Sequence, residues 1–325
     1  MMETIKKFIE KFLRECRKIT DFIPIAVFQM LRVVLGGSLI SSIIFAIPGV
    51  NNFLASLVYS ESMVEFLKNY LLFIGIWIVV LLAVILPPGN RPMLKGLHFR
   101  LKGFLVGLLL GFGTNGFAVL VSWLAGDIKL SFGGFDFVVL AVFAISVFIQ
   151  SGAEEISDRF YLYQKLRRRY RSPLVAILVN SLAFSLMHRG NPGFTFMAGR
   201  QIFRVGLVFS LMVHYYDNLW GAMAFHAAWN YTQNIIFGLP NSGIVSEYSI
   251  FTLEAASARN GLFYNVNFGV EGSIGATAML FILAAVIIYI NRNKHERNDI
   301  WAEEEEKAIQ KRQIREQNNM ESEVN

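Results

Sequence analysis

The sequence of 325 residues contains 54% hydrophobic side chains and only 17% charged ones. This composition excludes an ordinary water-soluble domain and indicates a protein whose main solvent is lipid. Its single cysteine, Cys16, excludes an intramolecular disulfide and a cysteine-based metal cluster. The formal net charge is +6, but the basic residues gather in short loops between apolar runs. They therefore indicate membrane topology, and we expect no nucleic-acid partner.

The first segment, residues 1–21, is basic and amphipathic. Its large apolar side chains recur three or four positions apart on one helical stripe: Ile5, Phe8, Ile9, Phe12 and Leu13. Lysines surround this stripe, so we predict a helix that lies on the anionic inner leaflet. The long apolar run that follows is not typical of a cleaved signal peptide, and we expect the segment to be retained.

Apolar runs that approach the roughly 20 residues needed to cross a bilayer then follow one another along the chain. We predict eight spans, at about 22–47, 69–88, 103–125, 138–160, 173–188, 201–216, 219–237 and 272–290. The fold class is therefore an all-α, polytopic transmembrane helical bundle over residues 22–291. Arg32 in the first run, and the acidic residues after Gln150 in the fourth, must avoid lipid or reach an interface.

Lysine and arginine are concentrated in alternate loops, as the positive-inside rule requires. Basic clusters precede the first span and follow the second, fourth and eighth, whereas loops 48–68 and 126–137 carry only Lys68 and Lys129. We therefore predict that both termini are cytoplasmic and that the chain is an integral protein of a bacterial plasma membrane. The tail, residues 292–325, is rich in glutamate and is predicted to be a charged cytoplasmic segment.

Glycines in the third span carry a structural prediction. Gly111, Gly113 and Gly116 match a dinucleotide-binding pattern, but they lie inside an apolar helix and no strand precedes them. Gly103, Gly107 and Gly111 recur every four residues on one face, which favours close packing of two helices in lipid.

Three short polar motifs lie in or at the end of apolar runs: Glu154-Glu155-x-x-x-Arg159, Phe184-x-x-x-His188 and His226-x-x-x-Asn230. Residues four apart share a helical face, so Glu155 should meet Arg159. Glu154 lies about 100° further round the helix and should point into the bundle. Ionisable groups inside a membrane are costly, and we therefore interpret Glu154 as a general base.

These motifs lie about 10 to 22 Å along their helices from the predicted cytoplasmic end, so they could share one water-filled cavity, which we expect to face the cytoplasm. Two histidines, a carboxylate and an amide are suited to activating water and stabilising an oxyanion. Glu154, His188 and His226 could equally bind a divalent metal such as zinc. The residues alone leave a metal and no metal both open.

Over about residues 138–243 the chain resembles the CPBP family of intramembrane peptidases, which includes the type II CAAX prenyl endopeptidases and bacterial Abi-like relatives. The resemblance rests on the three motifs in order and on the later segment Gly238-Leu239-Pro240-x-Ser242-Gly243. It implies that Glu154 and His188 activate the attacking water and that His226 and Asn230 stabilise the oxyanion. Glu155, Arg159 and Phe184 would support the site, by a metallopeptidase or a glutamate-type mechanism.

The sequence therefore predicts an endopeptidase whose substrate is a membrane-associated peptide or protein, lipidated or not, in contact with the lipid bilayer. An alternative is a non-proteolytic membrane protein, such as a transporter, a bacteriocin-immunity protein or a scaffold, that uses the same polar cluster. An inverted repeat with paired broken helices would favour a transporter, and neither is visible in the sequence.

Overall fold

The chain folds mainly into helices, which account for 76% of the residues in a computed structural model. The structure describes residues 19–170, 172–293 and 300–324, so the predicted amphipathic helix lies largely outside the described residues. The α-helices, in chain order, are α1 (Ile23–Phe45), α2 (Pro48–Ala55), α3 (Glu61–Leu71), α4 (Ile74–Ile85), α5 (Leu101–Leu124), α6 (Phe137–Glu155), α7 (Tyr163–Arg169), α8 (Pro173–Met187), α9 (Phe196–Tyr216), α10 (Leu219–Asn230), α11 (Ile274–Ile290) and α12 (Ile300–Val324).

The predicted polytopic bundle is confirmed, with differences in the limits of the spans. Within the described ranges, six helices are long and apolar enough to cross a membrane: Ile23–Phe45, Glu61–Ile85, Leu101–Leu124, Phe137–Arg169, Pro173–Gly190 and Phe196–Tyr216. Two predicted spans are not among these six: α11, which is a shorter apolar helix, and α10 with the helical segment that extends it to Ile236. The fourth span continues to Arg169, beyond its predicted end, because the polar residues after Gln150 are buried by protein.

Helix limits follow from local capping chemistry. Ser60 accepts a hydrogen bond from the backbone of Met63 at the start of α3, and Asp136 accepts one from Val139 at the start of α6. Proline occupies the first turn of α1, α2 and α8, where the missing N–H has no helical partner to lose. At the end of α9, Asp217 adopts a left-handed conformation with φ of 48°, which stops the helix.

The predicted glycine face of α5 packs directly against α10. A Cβ atom added at Gly111 would lie 2.6 Å from Cβ of Ala228, and one at Gly107 would lie 3.1 Å from Cβ of Ala224. Nothing lies within 4 Å of a Cβ added at Gly113. The close-packing interpretation is therefore confirmed. Of the glycines in the dinucleotide pattern, Gly111 packs against α10, whereas Gly113 does not.

The successive helices give the bundle two ends with different composition. The basic end comprises segments 86–100, 163–173, 216–219 and 291–293, and it receives α12, in which Glu303 and Glu304 pair with Lys95 at 3.0 and 2.9 Å. The distal end comprises segments 46–60, 125–136, 188–196 and 237–273. There a two-stranded antiparallel sheet joins β1 (Leu130–Phe132) to β2 (Phe251–Leu253).

Candidate active site

The three polar motifs surround one internal cavity. Five of their side chains line it: Glu154, Phe184, His188, His226 and Asn230. The cavity has a volume of about 310 Å³ and is walled by residues of α1, α3, α4, α6, α8, α9 and α10. Helical geometry thus brings together groups that are up to 76 positions apart in the sequence, from Glu154 to Asn230.

Glu155 and Arg159 form a fully buried ion pair behind the cavity. Nη1 of Arg159 donates to Oε1 of Glu155 at 3.2 Å, and both side chains are 0% exposed. The guanidinium lies 4.1 Å from the centroid of the Phe184 ring, close enough for a cation–π contact. The predicted contact between positions 155 and 159 is therefore confirmed, and Phe184 contributes its ring face.

Both nitrogens of His226 face a glutamate. Nδ1 lies 3.0 Å from Oε1 of Glu155, and Nε2 lies 3.7 Å from Oε2 of Glu154. A carboxylate that also accepts from Arg159 is an acceptor, so Nδ1 of His226 is the donor in the first contact. The ring of His226 also stacks on Phe209, with centroids 5.2 Å apart. These contacts fix the imidazole between the two carboxylates.

Glu154 lines the cavity with only one of its two carboxylate oxygens hydrogen-bonded. Its Oε1 accepts a hydrogen bond of 2.6 Å from Nε2 of Gln150, whereas the buried Oε2 has no hydrogen-bond partner among the described residues. The carboxylate is thus oriented through Oε1, while Oε2 faces Nε2 of His226. Asn230 lies next to this pair, because its amide donates to Oγ of Ser151 at 3.1 Å and to Oε1 of Gln150 at 3.4 Å.

His188 reaches the same cavity from the end of α8. Its Nδ1 lies 2.8 Å from the backbone oxygen of Phe184, and a carbonyl can only accept, so Nδ1 carries the proton. Nε2 of the neutral ring is then unprotonated. The Phe184 ring contacts both histidines, with centroid distances of 4.7 Å to His188 and 6.0 Å to His226.

Two π-helical segments extend the α-helices that carry the site. A π-helix over Ile156–Leu162 follows the glutamate pair, and another over Tyr231–Ile236 follows Asn230. Single π turns inside α-helices occur frequently at functional sites, because they re-aim side chains without ending the helix. Here the first one places Arg159 beneath Phe184, and the sequence pattern gave no sign of it.

The side chains predicted as metal ligands do not form a coordination site. Within the parts of the chain that the structure describes, no three His, Cys, Asp or Glu side chains are placed to hold a metal ion. Nδ1 of His226 is hydrogen-bonded to Glu155 and Nδ1 of His188 to the backbone oxygen of Phe184, so each ring has only Nε2 left for a further ligand. No step proposed below therefore passes through a metal.

Sequence reasoning missed Glu271, a further acidic group on the cavity. It is 7% exposed and its Oε2 accepts from the backbone N and Oγ of Ser242, both at 2.8 Å. Its Oε1 accepts from Nε1 of Trp229 at 3.2 Å. Burial raises the pKa of the Glu271 carboxyl, although the Ser242 bonds act in the opposite direction. A lone acid directly before the last apolar run was the available signal.

The cavity lies towards the distal end of the bundle. Asn191, Asn241, Ser242 and Glu271 line it, and all four come from distal loops. His188 follows α8, which starts beside the basic cluster and is 15 residues long, or about 22 Å. If the basic end is cytoplasmic, this distal lining does not favour the expected cytoplasm-facing cavity. Depth counted from one end cannot show to which side a cavity opens.

Part of the chain matches a protein-family model. The model described as "Rce1-like: Type II CAAX prenyl endopeptidase Rce1-like" matches residues 136–232. Residues 136–232 are therefore similar to this family, and we refer to them below as the Rce1-like domain. The resemblance to the CPBP family is thus confirmed over this stretch. No match was found among curated proteins or among solved structures.

The Rce1-like domain contains all seven residues singled out from the three motifs, from Glu154 to Asn230. It overlaps most of the predicted peptidase-like core at 138–243. Ser242 and Glu271 lie beyond the Rce1-like domain, although both line its cavity. The α1, α3 and α4 walls of the cavity also come from outside the matched stretch.

Proposed function

We propose that this chain is an intramembrane endopeptidase that cleaves a membrane-associated peptide or protein by means of water activated by glutamate and histidine. The observation that carries the proposal is the arrangement of Glu154, which lines the cavity, is held by Gln150 at Oε1 and has no hydrogen-bond partner at Oε2 among the described residues. The match to a peptidase family over the residues that form this arrangement supports it.

Glu154 is the proposed general base. A water between Glu154 and the scissile carbonyl loses its proton to Oε2 as its oxygen bonds to the carbonyl carbon, and the proton later passes to the leaving amine. His188 has an unprotonated Nε2 when neutral, so it can accept a hydrogen bond from the same water. General-base catalysis of this kind contributes about 10²- to 10⁴-fold in rate.

His226 and Asn230 are the proposed donors to the oxyanion. When both ring nitrogens of His226 carry protons, its Nε2–H, which lies on the cavity side near Glu154, can donate to the developing negative charge. The Asn230 amide donates to Ser151 and Gln150, and it would turn from them to donate to the oxyanion. Glu155 and Arg159 hold His226 and Phe184 in place, which makes them positioning residues.

The substrate is proposed to enter from the distal side. Under the positive-inside rule the basic end is cytoplasmic, and the cavity is lined by loops of the opposite end. This arrangement suits an exported or membrane-anchored peptide better than a peptide presented from the cytoplasm.

The test is cleavage by the purified protein in lipid vesicles. Internally quenched peptides, with or without a prenyl group, would be added to vesicles of known protein orientation, and products would be identified by mass spectrometry. Wild-type protein should cleave when the distal end faces the peptide, while Glu154→Gln and His188→Ala should lose at least about 10²-fold in rate. Glu247→Gln, a change at an exposed distal glutamate, is the matched control and should keep full activity.

Undiminished cleavage by folded Glu154→Gln would refute the role of Glu154. Cleavage only from the basic side would refute the proposed entry. If the wild type cut no peptide while Glu154→Gln abolished a transport current or a bacteriocin-resistance phenotype, the non-proteolytic alternative would replace the peptidase.

A further inference from the structure

A second cavity, of about 580 Å³, lies at the basic end of the bundle. It is formed between α1, the end of α4 with the loop after it, and the continuous helical segment from Tyr161 to Arg168. It has no lining residue in common with the candidate active site. Three of its lining side chains are basic: Arg32, Lys165 and Arg168.

The charge in this cavity is only partly balanced. Asp21, which is buried, pairs with Nζ of Lys165 at 2.9 Å and with the guanidinium of Arg168, whose Nη2 lies 2.7 Å away. Arg32 forms neither an ion pair nor a hydrogen bond within residues 19–170, 172–293 and 300–324, and its guanidinium lies 6.0 Å from the Phe28 ring. Three cations face one carboxylate, which leaves a net charge of +2.

The free donors are those of Arg32 and Lys165. Arg168 is occupied, because its Nη1 donates to the backbone oxygen of Gly89 at 2.6 Å and to Oδ1 of Asn90 at 3.0 Å. Lys165 has three N–H groups and one ion-pair partner. An anion between Arg32 and Lys165 would therefore meet two cations with N–H groups to donate.

The position of Arg32 identifies the kind of anion. Arg32 lies nine residues into α1, about 14 Å from its start, and an unpaired charge at that depth is costly in lipid. Its long side chain can reach back towards the interface, where phospholipid phosphates lie. Val33, Val79 and Ala83 give the same cavity an apolar wall, against which an acyl chain can pack.

We propose that this cavity binds the phosphate of an anionic phospholipid, with Arg32 and Lys165 as its ligands and the lipid chain beside α1 and α4. The bound phosphate supplies the charge that Arg32 lacks within the described residues. Basic cavities between transmembrane helices on the cytoplasmic side suit such headgroups. The site does not depend on the proposed peptidase activity.

The test measures lipid retention by native mass spectrometry and thermal unfolding of the full-length protein in detergent. The probes are phosphatidylglycerol, phosphatidylcholine and soluble glycerol 3-phosphate. Phosphatidylglycerol should be retained and should raise the melting temperature more than phosphatidylcholine does, because a ligand that binds only the folded state stabilises it. Glycerol 3-phosphate, which has no acyl chain, should give no shift.

Arg32→Gln should weaken phosphatidylglycerol binding about fivefold, the factor for one basic residue near a membrane surface, and Arg32→Lys should retain most of it. Lys102→Gln, at an exposed lysine of the same end outside the cavity, is the matched control and should bind as the wild type does. Because Arg32→Gln removes a charge without an ion-pair partner in the described residues, the lipid-free protein should still fold.

Equal losses in Arg32→Gln and Lys102→Gln would overturn the proposal, because they would indicate diffuse attraction to a basic surface. Equal retention of phosphatidylglycerol and phosphatidylcholine would also overturn it. A shift with glycerol 3-phosphate as large as that with the lipid would replace the lipid by a soluble phosphate ester.

Discussion

Replacing Gly111 by alanine should force α5 away from α10 and impair the site that α10 carries. The new Cβ would lie 2.6 Å from Cβ of Ala228 and 3.0 Å from the backbone N of Trp229, and it would also overlap the backbone oxygen of Phe225. Carbon atoms in contact are normally about 3.5–4.0 Å apart, so the helices must separate by about 1 Å. Overpacking of this kind costs about 1–3 kcal/mol.

Gly113→Ala is the matched control, because it makes the same change two residues further along the same helix. Nothing lies within 4 Å of the added Cβ, and alanine favours a helix over glycine by up to about 1 kcal/mol. Thermal unfolding in detergent should therefore show Gly111→Ala melting several degrees below the wild type, at about 2–4 °C per kcal/mol, and Gly113→Ala melting at or above it. Peptide cleavage should fall in Gly111→Ala alone, since His226 and Asn230 lie on the displaced helix.

Equal melting temperatures for the two variants would refute the close contact between α5 and α10. A destabilised Gly111→Ala protein with undiminished cleavage would show that the site tolerates a shift of α10.

Two further predictions concern buried charges. Glu155→Leu should lower the free energy of unfolding by about 3–5 kcal/mol, because it leaves the fully buried Arg159 without its ion-pair partner. The double variant Glu155→Leu with Arg159→Met should recover most of that stability in a thermal melt and stay inactive. A double variant no more stable than the single one would contradict this. Burial raises the pKa of Glu271 in the folded protein, so its contribution to stability is fully present below the unfolded pKa of about 4.3 and is lost as pH rises through the folded pKa. Glu271→Gln should therefore flatten the dependence of the melting temperature on pH above about 4. Glu247→Gln, at an exposed glutamate, should keep the wild-type slope. Equal slopes for both variants would show that the pKa of Glu271 does not change on folding.

Local periodicity in the sequence was sufficient for several features. The lengths of the apolar runs predicted the membrane bundle, and the four-residue spacing predicted the contact of Glu155 with Arg159. The same spacing predicted that Gly107 and Gly111 face a neighbouring helix. These features depend on α-helical rise and rotation, which vary little from one α-helix to another and can therefore be read from residue spacing. The contact of Glu155 with Arg159 is kept although a π-helix begins at Ile156.

The tertiary structure decided which groups meet across helices. Residue spacing did not indicate that His226 lies between Glu154 and Glu155, or that the Phe184 ring contacts both histidines. Glu271 lies 117 positions from Glu154 in the sequence, and it reaches the cavity because the distal segment 237–273 folds back against the bundle. Spacing within one helix sets the face on which a side chain lies, but not the helix that the face meets.

The sequence by itself thus determined a membrane bundle with three polar stripes, and its loop charges predict an orientation that stays a prediction. The fold decided that the stripes share one cavity, that this cavity lies towards the end opposite the basic loops, and that Arg32 faces a second, basic cavity. The physical reason is that helix formation depends on neighbours within four residues, whereas the shape and charge of a cavity depend on packing between segments distant in the chain.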